Sequence, residues 1–135
     1  MKTILTVEES QRLIELGVDP KLAKSVCLDF NGTYAYISGE ETKTVVDWVN
    51  MEYYTEQPVV FTLTDILSIL PKEIKQVKKH PMTMVVYWHS INNEWNAYYD
   101  YSELSPIKSS PELIDALNQL LIYVLENFPN ENHKN

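Results

Sequence analysis

The sequence has 135 residues, 44% of them hydrophobic, with 11 basic and 19 acidic side chains for a net charge of −8. This length suits one domain with an ordinary apolar core, and the composition is that of a globular chain and not a disordered one. The acidic balance repels phosphate backbones and so disfavours generic nucleic-acid binding. Cys27 is the only cysteine, which excludes an internal disulfide and fits a reducing compartment. The apolar start breaks into charge at Glu8 and Glu9, too early for a secretory signal. No run approaches the ~20 apolar residues of a membrane span, so no membrane partner and a cytoplasmic location are expected.

In chain order, Thr6 followed by Glu9 is a capping box that starts a helix, and Gly17 stops it. Asp19-Pro20 then predicts a second helix, with Leu22, Ala23, Val26, Cys27 and Phe30 on one side, giving an N-terminal αα-hairpin. Asn31-Gly32 signals a turn, and Tyr34 to Ser38 is rich in β-formers. The stretch from Thr44 to Asn50 fits either a strand or a helix, its valine and tryptophan content favouring strand. Phe61 to Leu70 predicts a short helix capped by Thr62 and closed by Pro71, followed by a basic connector from Lys72 to His80.

Met82 to Ile91 and Glu94 to Tyr101 flank Asn92-Asn93, the pattern of a β-hairpin, because asparagine tolerates the positive φ of a tight turn. Ser110 and Pro111 then open a long helix to about Asn127, with Leu113, Leu117, Leu120, Leu121, Val124 and Phe128 as a continuous apolar stripe. The expected architecture is α+β: a single two-layer domain over residues 1–128, antiparallel hairpins packed against helices, with a polar tail from 129 to 135.

Three stretches carry a resemblance. They are Leu13-Ile14-Glu15-Leu16-Gly17-Val18-Asp19-Pro20, then Phe61-Thr62-Leu63-Thr64-Asp65-Ile66-Leu67 with Leu70-Pro71-Lys72-Glu73-Ile74, then Leu113-Ile114-Asp115-Ala116 with Leu120-Leu121. The chain resembles a set of small uncharacterised proteins encoded by phages and mobile elements of gut bacteria. The shared stretches are helix signals, so the resemblance implies an intact domain and an accessory role, and supplies no site.

Several chemistries lack their residues. Gly17, Gly32 and Gly39 are isolated, so neither a P-loop nor a dinucleotide fingerprint exists. His80, His89 and His133 are scattered and Cys27 has no partner pattern, so no metal or other cofactor is expected. No nucleophile–base arrangement is evident, and a non-enzymatic protein is the expectation.

The hairpin nominates a surface instead. With Asn92-Asn93 as a two-residue loop, Met84, Val86 and Trp88 share a drier face with Tyr101, Tyr99 and Ala97, which should lie on the long helix. The other face pairs Tyr87 with Tyr98, flanked by His89, Asn96 and Asp100. Rigid tyrosines beside short polar groups suit a protein-binding surface, for another protein or a second copy of this one. The competing reading covers this face and makes Tyr87 and Tyr98 ordinary packing. The alternative function, nucleic-acid binding, would use the N-terminal helical pair or the basic segment Lys72–Lys79.

Overall fold

A computed structural model describes residues 1–30, 33–38, 58–75, 81–100 and 106–129. The fold is α+β, and the chain divides into two compact units, Ile4–Asp65 and Met1–Thr3 with Ile66–Asn135.

In the first unit, helix α1 (Val7–Glu15) starts as the sequence predicts. Thr6 Oγ1 accepts from the Glu9 N–H at 3.1 Å and Glu9 Oε1 accepts from the Thr6 N–H at 2.9 Å. It ends where Gly17, at φ 113°, lets its own N–H and that of Val18 donate back to the carbonyls of Ile14 and Leu13. The predicted second helix is overturned. Asp19 does cap, accepting from the Lys21 N–H at 2.9 Å, but only one 3-10 turn follows, Pro20–Leu22. The chain then enters strand β1 (Ser25–Phe30), antiparallel to β2 (Thr33–Ser38). Val26 and Phe30, which fit a helical period, are also β-formers, and pairing with β2 decides between the two.

The register sets Phe30 opposite Thr33, and β1 also pairs with β3 (Val59–Val60), giving the order β2-β1-β3. Leu5, Leu13, Val18, Val60 and Phe61 are buried. The Leu5 N–H donates to the Phe61 carbonyl, and the buried Ser10 hydroxyl accepts from the Phe61 N–H at 3.1 Å. The predicted turn at 39–42 and the ambiguous 44–50 stretch lie outside the described residues.

Helix α2 (Leu63–Ile69) carries the chain across the boundary between the units. Thr62 and Asp65 make its cap reciprocally: Thr62 Oγ1 accepts from the Asp65 N–H, and Asp65 Oδ2 accepts from the Thr62 N–H.

The second unit holds a four-stranded antiparallel sheet in the order β4 (Glu73–Ile74), β5 (Met82–His89), β6 (Glu94–Asp100) and β7 (Lys108–Ser110). Helix α3 (Leu113–Asn127) lies along β6 and β7. Its buried residues include Ile114, Leu117, Leu120, Leu121, Val124 and Leu125, so the broad apolar stripe is a core face. Two expectations are corrected at its start. Ser110 and Pro111 precede the helix, the N-cap is Glu112, and the Ser110 hydroxyl accepts from the Glu112 N–H in a local turn. Ser110 instead ends β7, a strand too short and too polar to leave a period in the sequence.

The β5–β6 hairpin closes at His89 opposite Glu94, so the loop is Ser90 to Asn93, four residues rather than the predicted two. Asn93 occupies the left-handed region at φ 52°. Asn93→Gly is expected to leave the unfolding free energy, read by urea titration, within a few tenths of a kcal/mol, whereas Asn93→Val should lower it by about 1–2 kcal/mol through the Cβ clash. Equal loss in both variants would show that the Asn93 side chain, not its backbone, holds the loop.

Candidate functional site

A loop two residues longer than predicted slides every cross-strand pair by two. Tyr87 therefore stands opposite Asn96, Tyr98 opposite Val85, His89 opposite Glu94 and Asp100 opposite Thr83, correcting the expected Tyr87–Tyr98, His89–Asn96 and Val85–Asp100 pairs. Because the change is even, face membership is unaltered, since side chains alternate with a period of two. Met84, Val86 and Trp88 still share a face with Tyr99 and Ala97, now joined by Trp95. Tyr101 lies outside the described residues.

The helix-side face is dry only part of the way along the hairpin. Ala97 and Tyr99 are fully buried, and the Tyr99 hydroxyl donates to the Pro71 carbonyl at 2.6 Å. Lys108, opposite Ala97 on this face, places its ammonium 5.6 Å from the centre of the Tyr123 ring of α3. Towards the tip, Trp88 is 44% exposed and meets Trp95 edge-on at 5.6 Å. Ile91 in the loop is 85% exposed.

The opposite face gathers the nominated side chains. Tyr87 is 39% exposed; Tyr98 and His89 are half-buried; Asp100 is exposed. The rings of Tyr87 and Tyr98 meet edge-on at 6.4 Å as diagonal neighbours, and His89 lies 6.2 Å from Tyr87. His89 Nδ1 accepts from the Asn92 N–H at 3.2 Å, which ties the imidazole to the loop. Asn96 differs from the rest, being only 6% exposed. Its Nδ2 donates to the Tyr87 hydroxyl at 3.0 Å and its Oδ1 accepts from the Ser109 hydroxyl at 2.8 Å. Asn96 thus holds Tyr87 in place from beneath.

The aromatic side chains form two pairs on opposite faces of the hairpin. Tyr87 and Tyr98 lie on one face and Trp88 with Trp95 on the other, and Ile91 stands at the tip. The sequence reading misses Trp88, Ile91 and Ser109. Face parity alone assigns Trp88 to the helix side, and its exposure depends on the hairpin tip outrunning the helix. Asn96 needs β7 before its role can be seen.

The alternative site loses its geometry, since the segment 20–30 that would form the second helix of a helix-turn-helix is a 3-10 turn and a strand. In the basic segment, Lys75 lies 3.8 Å from Glu73, and Lys78, Lys79 and His80 fall outside the described residues. Among the described residues, no group of three or more His, Cys, Asp or Glu side chains is arranged to hold a metal ion. No described helix is long and apolar enough to cross a membrane.

No known family profile matches the chain, and neither a curated protein nor a solved structure matches it.

Proposed function

We propose that this chain is a non-enzymatic accessory protein of the cytoplasm that binds another protein through the β5–β6 hairpin. The phage and mobile-element resemblance favours such an accessory role. The observation that carries the reading is the exposure of large apolar side chains: Tyr87, Trp88 and Ile91 remain open to solvent on a hairpin anchored by the buried Met82, Asn96, Ala97 and Tyr99. Aromatic side chains offer large contact area with little rotamer freedom to lose, and the Asn96–Ser109 relay has already fixed Tyr87.

The test is affinity capture from the native host with wild-type protein and with Tyr87→Ser plus Tyr98→Ser, read by quantitative mass spectrometry. Circular dichroism shows whether the variant keeps its fold. A defined partner should be retained by wild type and depleted at least tenfold by the double variant. Identical recovery by a folded variant overturns the reading. Light scattering on the same two proteins tests self-association, which would appear as a wild-type dimer that the double variant lacks.

A further inference from the structure

Among the described residues, the β5 edge of the second unit beside these aromatic side chains is only partly paired. β4 reaches only part of β5: Glu73 pairs with Thr83, Ile74 with Met82, and the Met84 N–H donates to the Lys72 carbonyl at 2.9 Å. Among the described residues, no strand continues alongside Val85 to His89 on that side. Backbone groups alternate along an antiparallel strand, so the outward N–H of Met84 sets the N–H and C=O of Val86 and Trp88 outward as well. Natural sheets protect such edges with lysine, proline or a bulge. The run from Met82 to Ile91 contains no charged residue and no proline, and β5 pairs with β6 without a bulge.

The two faces flanking this edge differ in chemistry. On the tyrosine face, Tyr87 and Tyr98 share the sheet surface with the carboxylates of Glu94, Asp100 and Glu73, and the described basic groups there are His89 and Lys75, the latter beside Glu73. On the other face, the edge shows Val86 and Trp88. A strand laid against β5 at the usual spacing of about 4.8 Å would set alternate side chains over each face. Cations suit the first, through the tyrosine rings and the carboxylates, and apolar side chains suit the second.

Resting on the protein-binding reading, we propose that the β5 edge at Val86–Trp88 takes an extended segment of a partner protein as an added antiparallel strand. The segment alternates basic and apolar residues and lies in line with β4. Its apolar residues exchange backbone hydrogen bonds with Val86 and Trp88, and its basic residues lie beside Tyr87 with their N–H groups pointing away from β5. The net charge of −8 opposes a second copy in the same place.

The probe is a fluorescein-labelled eight-residue peptide of alternating arginine and valine, followed by fluorescence anisotropy at low and physiological salt. The peptide should bind wild type more weakly as salt rises, and a glutamate–valine counterpart should not bind. N-methylation of its valines should weaken binding at least tenfold, while N-methylation of its arginines should leave it within about threefold, because only the former removes ladder donors. Val86→Pro should match the valine-methylated result, since the lost N–H faces outward. Should Val86→Pro fail to fold, the methylated peptides decide alone.

Equal binding of all methylated forms overturns the added strand. If the arginine–valine peptide fails to bind while the Tyr87→Ser, Tyr98→Ser variant still loses its captured partner, this inference falls and the protein-binding reading stands. A wild-type dimer abolished by Val86→Pro also overturns it, in favour of a second copy.

Discussion

Leu117→Ala is expected to lower the stability of the second unit by about 2–5 kcal/mol, the range for removing a fully enclosed leucine side chain. Leu117 is completely buried on α3, between the buried Ile114 and Leu121 turns of the same stripe. The loss combines the transfer free energy of the removed carbons with the cavity that a rigid helix–sheet layer cannot close. Urea unfolding followed by tryptophan fluorescence in a Trp48→Phe background is the suitable measurement, because Trp88 and Trp95 belong to this unit and Trp48 to the other. A loss under 1 kcal/mol would mean that α3 is not packed as described. Leu117→Met should cost less than about 1.5 kcal/mol, since it nearly conserves volume.

Asp65→Ala is expected to cost about 2–4 kcal/mol in the first unit, from two backbone donors left without their charged acceptor. Asp65 is 3% exposed, and its Oδ2 accepts from the N–H of Thr62 at 2.9 Å and, more weakly, from that of Lys24 at 3.3 Å. The carboxylate therefore starts α2 and also ties down the chain just before β1. Asp65→Asn can present an amide oxygen at the same place and should recover at least half of the loss. Hydrogen exchange separates the two roles: Asp65→Ala should speed exchange at Thr62 and Lys24 together. Faster exchange at Thr62 alone would show that the Lys24 contact contributes nothing.

The elements legible in the sequence are those whose signals are local. The Thr6–Glu9 box, the Gly17 stop and the broad stripe of α3 each follow from residues a few positions apart. The helix drawn through Val26 to Phe30 fails because its periodicity is shared with a strand, and a distant partner chooses between them. β4 and β7 are two and three residues long and exist only by pairing with β5 and β6.

The candidate surface is legible for a narrower reason. Its faces depend on the parity of the hairpin loop rather than its length, and four residues preserve what two would have given. The depth of each side chain was not legible, because burial of Asn96 and exposure of Trp88 depend on where β7 and α3 stop.

Lys2 gives the order of assembly a consequence. Its backbone N–H donates to Glu112 Oε2 and its ammonium meets Asp115 Oδ1, both at 2.8 Å, at sequence separations of 110 and 113. During synthesis, Lys2 must wait until Glu112 and Asp115 have left the ribosome before this junction can close. The described strands β1, β2 and β3 of Ile4–Asp65, and helix α1, are available much earlier. The Ile4–Asp65 unit is thus expected to mature before Lys2 joins Glu112 and Asp115.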